Sequence, residues 1–283
     1  MSNSAIEATS AFLHWSSRQL IKETTAAGII ADYHISEILP VTFLRINQIL
    51  PMKNYLKYSA LVISIFTMAS CVEAKQQTET RQLAHFTTVH SGGSWEVILE
   101  EGNSEEVRIE VKGVELSKVK TEVSGGELTL GLEKGNYNNI DLKFYVTYKT
   151  LEGLKVSGSG EIEVMDNVIA RDFSISLSGS GDVEMKNLMA DRLKVSISGS
   201  ADIEIRGGEI GDAEISQSGS GDFDAKDLAI NNLNVSKSGS GDTQVGDLGM
   251  VSVKSSGSGD IIYSGTPKMG DIRVSGSSNI RKR

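Results

Sequence analysis

The phrase Ser-Gly-Ser-Gly, or a variant differing at its last residue, begins at residues 157, 178, 198, 218, 238, 256 and 275, with spacings of 21, 20, 20, 20, 18 and 19 residues. This period constrains the fold more than any other feature of the chain. A unit of about twenty residues cannot bury an apolar row by itself and must stack on copies of itself. Between the phrases, apolar and polar residues alternate, as in Leu193-Lys-Val195-Ser-Ile197 and Asp202-Ile203-Glu-Ile205. Alternation with period two places one row of side chains on one face of a strand. The Ser-Gly phrases interrupt it where the chain must bend, with glycine supplying positive φ. Val156, Leu177 and Ile197 would then form a column, with successive rungs paired as parallel strands about 4.8 Å apart. The period is too short for helix-pair repeats, and the leucine-rich-repeat signature is missing. The expected fold is all-β: a single-stranded parallel β-helix, or β-solenoid, with turns of about 20 residues, right-handed by the crossover rule.

Residues 84–150 are β-like without the regular motif. Trp95 to Leu99, Val107 to Val111, Glu127 to Leu132 and Asp141 to Tyr148 alternate, and degenerate Ser-Gly-Gly phrases start at Ser91 and Ser124. They are expected to form longer, irregular initial turns of a solenoid spanning 84–283, whose Ser-Gly-Ser-Gly turns occupy 151–283. A separate small β-sandwich is the alternative.

The glycines begin only where the β pattern does: residues 1–70 contain one, Gly28, of the 29 in the chain. From Met52 the sequence runs through Lys53 and Lys57 into an apolar stretch, Tyr58 to Ala69, and ends at Met68-Ala69-Ser70-Cys71. A run of about a dozen residues suits a secretory signal better than a membrane span. The final residues resemble a bacterial lipobox, which implies cleavage before Cys71 and acylation of that residue. Two acyl chains would anchor stably where one would not. The alternative is an uncleaved signal-anchor helix. Residues 52–70 are thus expected as a lipoprotein signal peptide and residues 71–83 as a polar tether. Residues 1–51 are expected to be an upstream extension from a mis-called start codon, or else a cytoplasmic extension. Val72, rather than Asp, after the lipidated Cys favours the outer membrane, on either its periplasmic face or the cell surface.

Taken together, Phe86-x-x-Val89, the β segments after it, Leu151-Glu-Gly-Leu154-x-Val156-Ser-Gly-Ser-Gly160 and the recurrent copies resemble a bacterial secreted and lipoprotein family. It is the family of putative auto-transporter adhesins with a head GIN domain. The resemblance covers about residues 84–280 and implies a β-helical fold and an envelope location.

Charge and motif content exclude several functions. With 28 Lys and Arg against 37 Asp and Glu, the formal net charge is −9, and no basic stripe exists to displace nucleic-acid counterions. A single Cys excludes a disulfide framework and Cys-rich metal sites. His85 and His90 lack the His-Glu-x-x-His spacing, and no Walker A loop or nucleophile elbow is present.

The recurrent acidic residue after each turn forms the candidate array: Glu161, Asp182, Asp202, Asp222, Asp242 and Asp260. Stacked about 5 Å apart they would repel by about 1 kcal/mol per pair in water. Solvent, local turn N–H groups or Ca²⁺ could relieve this. Local capping of each residue's own turn is the expectation, so no metal and no cofactor is called for. Carboxylates that recur identically suit symmetry rather than the unequal acid pair a glycan-cleaving β-helix needs. The expected function is therefore a non-catalytic binding or adhesion surface, held to the membrane by its lipid and contacting an envelope protein, matrix or glycan. A periplasmic scaffolding lipoprotein is the alternative, and a glycan-active enzyme the third.

Overall fold

The computed structural model describes residues 76–283. The expected extension 1–51, signal 52–70 and lipidation site Cys71 lie outside the described residues. The described chain is strand after strand: β1 (Gln77–Gln82), β2 (Thr88–Ser91), β3 (Glu96–Glu101), β4 (Glu106–Lys112), β5 (Val119–Ser124), β6 (Glu127–Leu132), β7 (Asp141–Tyr148), β8 (Gly153–Gly158), β9 (Glu161–Gly179) and β10 (Asp182–Gly199), followed by eight more to Lys282. A short 3-10 turn at Leu116–Lys118 is the one helical element among the described residues.

From β8 onward the chain coils as a β-solenoid. Each coil passes three faces: β9 pairs with β10 through 161–164 on the second face, through 167–170 on the third, and through 172–179 on the first face of the next coil, where β9 also meets β8. The next rungs repeat the match, with Val183 opposite Ile203 and Val195 opposite Ile215. Alternation of buried and exposed residues follows directly from the sequence pattern. Leu154, Ile175, Val195, Ile215, Val235 and Val253 form one column, in register rung by rung and buried throughout. Every such residue contributes about 1.5–3 kcal/mol by leaving water, and none could do so without the rungs on either side.

The corner glycines are required twice over. Gly179, Gly199 and Gly219 have φ of +119°, +112° and +125°, a region costly for side chains bearing Cβ. A Cβ at each would also strike the carbonyl of the glycine one rung earlier.

The initial coils stack out of sequence order. β2 lies between β6 and β8, and β3 lies between β7 and β9, all parallel. The coil β6–β7, later in the chain, therefore sits outside the coil β2–β3. Three antiparallel strands finish this end: β4 on β7, β1 on β4 and β5 on β6. Because β2 and β3 bond directly to the regular stack, this region is part of the solenoid and not a separate sandwich.

Two expectations are corrected. Residues 77–82, assigned to the tether, form β1; their pairing with β4 and the bonds of Arg81 to Val119 O (2.7 Å) and Leu116 O (3.0 Å) hold this polar stretch in place. The stretch was read as a tether because it lacks apolar residues, but an edge strand needs none, and its charge discourages further pairing. The Ser124 phrase is a β5–β6 hairpin turn, with Gly125 at φ +60° and Gly126 at φ +81°. A type I′ hairpin loop needs positive φ at both centres, which this glycine pair supplies. The Ser91 phrase is a true corner, since Ser159 N–H donates to Gly93 O (3.2 Å) and Glu161 N–H to Trp95 O (3.1 Å).

Candidate functional site

The acidic array occupies one corner of the solenoid, and from Asp182 onward its side chains bond between rungs. Asp202 N–H donates to Asp182 Oδ1 (3.0 Å), Asp222 N–H to Asp202 Oδ1 (2.7 Å), Asp242 N–H to Asp222 Oδ1 (2.6 Å) and Asp260 N–H to Asp242 Oδ1 (2.7 Å). Asn279 ends the series, its N–H donating to Asp260 Oδ1 (3.0 Å). The expected capping of each residue's own turn is thereby corrected. At this corner the carbonyls of Asp202, Asp222, Asp242 and Asp260 accept from Val183, Ile203, Phe223 and Thr243 N–H. Both backbone groups of each of these residues thus face the preceding rung, the C=O meeting a backbone N–H and the N–H meeting the carboxylate. Such a charge-assisted bond also relieves repulsion along the column.

The two ends of the array differ. Glu161 N–H and Asp182 N–H go to backbone oxygens, Trp95 O (3.1 Å) and Gly160 O (3.0 Å). Burial and the nearby Glu184, Glu96, Asp182 and Glu163 hold the Glu161 carboxyl above the usual range. At the other end, the Asn279 side-chain and backbone N–H groups, helped by Arg281, hold Asp260 below it. Among the described residues no three His, Cys, Asp or Glu side chains converge as metal ligands. Asn187, Asp227 and Asp247 mark another corner, between the second and third faces; the register shifts beside Asn187 and Asp247.

Beside the acidic corner, the first face carries two outward columns of serine, Ser176, Ser196, Ser216, Ser236 and Ser178, Ser198, Ser218, Ser238, each in register. Lys254 and Arg273 continue the first column. The aromatic residues of the regular turns, Phe173, Phe223 and Tyr263, are buried, so this face offers hydroxyls and charge but no stacking platform.

The interior holds a polar column that sequence reasoning missed. Val156, Leu177 and Ile197 stack as expected, but the next positions are Gln217, Lys237 and Ser255, all buried. Gln217 Nε2 donates to Gly221 O and Asp242 O (both 3.1 Å), and Thr243 Oγ1 donates to Gln217 Oε1. Lys237 Nζ donates to Asp260 O (3.3 Å). Burial pushes the Lys237 ammonium below its usual range against the pull of Asp242, Asp222 and Asp260. The signal was present in the sequence, as two polar residues at a column position otherwise filled by Val, Leu and Ile.

Solved structures share this architecture. A putative adhesin from Bacteroides fragilis NCTC 9343 is 21% identical, with a TM-score of 0.68 over 74% of this chain and 97% of that one. One from Parabacteroides merdae ATCC 43184 is 18% identical, with a TM-score of 0.61 over 74% and 96%. A putative lipid binding protein from Parabacteroides distasonis ATCC 8503 is 22% identical, with a TM-score of 0.56 over 74% and 97%. At these identities the likeness establishes the fold. No curated protein sequence matches this one. The family model described as putative auto-transporter adhesin, head GIN domain, matches residues 85–267, and the chain belongs to that family.

Proposed function

We propose that this chain is a lipid-anchored envelope protein whose solenoid presents a rigid, non-catalytic binding surface along its repeated faces. The observation that carries the reading is the register of the first face, where serine columns from Ser176 to Ser238 run beside the acidic corner from rung to rung. Stacked repeats display extended surface without a pocket, and recurring identical groups suit a contact that spreads along the axis. Family membership supports a binding or adhesion role. The lipobox-like Met68-Ala69-Ser70-Cys71 supports the anchor. Candidate ligands are an envelope protein, a matrix component or a glycan met through hydroxyls. In cells fed a fatty-acid analogue, the chain should take label and stay in the membrane fraction, while Cys71→Ser should lose both. Unchanged labelling of Cys71→Ser would overturn the anchor. For the surface, Ser196→Glu, Ser216→Glu and Ser236→Glu combined should abolish binding of purified chain to its cell or matrix target while leaving the melting temperature within a few degrees. Undiminished binding would place the contact on another face.

A further inference from the structure

The out-of-order coil brings together three residues far apart in sequence. His90 on β2 places Nε2 2.9 Å from Ser157 Oγ on β8. Its Nδ1 lies 3.4 Å from Glu127 Oε1 on β6, and Lys155 Nζ holds the other oxygen, Glu127 Oε2, at 2.6 Å. A serine hydroxyl, an imidazole and a carboxylate in this order form the nucleophile, base and orienter of acyl transfer. Glu127 favours the tautomer with hydrogen on Nδ1, which leaves the Nε2 lone pair facing the serine hydroxyl. The His90 and Glu127 side chains are each 29% exposed, so the cluster is open to solutes.

Internal comparison sharpens the assignment. Ser157 opens the first of the seven repeat phrases, and the turn serines Ser178, Ser198, Ser218 and Ser238 follow it in register. Of these, Ser157 alone is hydrogen-bonded to an imidazole. Gly92 lies on the opposite side of Ser157 from Ser178, and even an added Cβ there would stay 3.8 Å from Ser157 Oγ. Ser157 itself is exposed.

We propose that Ser157 is an acyl-accepting nucleophile with His90 as its base and Glu127 as the residue that positions His90, acting on carboxylic esters. His90 Nε2 takes the Ser157 proton as Oγ bonds to the acyl carbon. The ester C–O bond then breaks, and the proton passes from Nε2 to the departing alcohol. Water deprotonated by His90 next attacks the acyl carbon, and the returned proton restores the serine hydroxyl as the acid leaves. The nearby turn amides are engaged, Ser159 N–H with Gly93 O and Glu161 N–H with Trp95 O. Stabilisation of the oxyanion thus falls to water, and loss of a built donor slows acyl transfer by a factor on the order of 10²–10³. Acylation by an activated ester should therefore outpace turnover of ordinary esters.

The test exposes the full chain to p-nitrophenyl acetate and to a fluorophosphonate probe, then maps the modified residue by mass spectrometry. One label per chain is expected on Ser157, none on Ser178 or Ser198, and none after Ser157→Ala. His90→Gln should slow labelling by about 100-fold or more, whereas Ser117→Ala, in the exposed 3-10 turn, should leave the rate unchanged. Glu127→Gln should slow labelling in a chain that still folds, and Glu127→Asp should restore part of the rate, a rescue that a merely structural carboxylate would not give. Equal labelling of Ser157 and Ser178 in the unaltered chain would overturn the proposal without any variant having to fold. So would an unchanged rate in a folded His90→Gln chain. Either failure would leave the display role of the repeated faces intact.

Discussion

The regular coils after Gly153 and the initial region from Gln77 to Tyr148 are built from the same alternating strands on the same sheet, yet they solve different problems. In the regular coils each rung meets a similar rung, so glycine corners and stacked columns recur, and from Asp202 to Asp260 the carboxylate bonds recur with them. The initial region must end the stack. It does so by slipping the coil β6–β7 outside β2–β3 and covering it with antiparallel strands. Repetition gives a long uniform surface. Termination breaks the symmetry, and the asymmetric His90–Ser157 pair occurs where it breaks.

The sharpest contrast between the regions is at glycine. Gly219→Ala should cost about 3 kcal/mol, because a backbone clash with Gly199 is added to a strained φ of +125°. Gly126→Ala in the hairpin shares a positive φ, +81°, but has nothing within 4 Å of the new Cβ, and should cost about 1 kcal/mol. Urea unfolding of the two variants measures the difference; equal losses would deny that the corner is closed by the neighbouring rung.

Smaller effects follow along the acidic corner. Asp222→Ala should cost about 1–2 kcal/mol by orphaning Asp242 N–H, and Asp222→Asn should recover most of that by keeping an acceptor. Lys237→Met should stabilise the chain at neutral pH by about 1 kcal/mol, since it removes a buried charge that donates only to a carbonyl already bonded to Thr243 N–H. A destabilised Lys237→Met chain in thermal unfolding would show that the ammonium is better satisfied than its geometry indicates.

The smallest effects separate the two ends by the sign of their response to acid. Asp260 is held below its unfolded pKa, so its contribution is complete above the unfolded value and disappears as pH falls through the folded one. Glu161 is held above its unfolded pKa, so the folded state binds the proton more tightly and gains stability as pH falls through the folded value toward the unfolded one. Glu161→Gln should therefore raise the melting temperature slightly at pH 7, with the gap to the unaltered chain closing on acidification. Asp260→Asn should lower it at pH 7, and that gap should also close, at lower pH. A gap that stays constant with pH in either variant would contradict the assigned environment.

The regular stack was legible in the sequence because its signals are local: alternation, glycine at the bend and a fixed period. The column Val156, Leu177, Ile197 could be read from spacing alone. Rung order could not be read, because β2 and β6 both alternate and nothing local says which lies next to β8. Ser124-Gly-Gly and Ser91-Gly-Gly read alike for a related reason, since a glycine pair marks a bend in either a hairpin or a rung corner. The acidic array is legible in the sequence, but its bonding between rungs is not, because nothing local says which way the N–H of each array residue points. His90, Glu127 and Ser157 carry no spacing signal at all; only the inserted coil makes them neighbours.

The most direct test of a displayed binding surface is protease treatment of intact cells carrying a C-terminally tagged copy of the full chain, beside a permeabilised control. The expected result is loss of the tag in intact cells, with the solenoid exposed outside the outer membrane. Protection until permeabilisation would contradict surface display and leave a periplasmic scaffold as the function of the repeated faces.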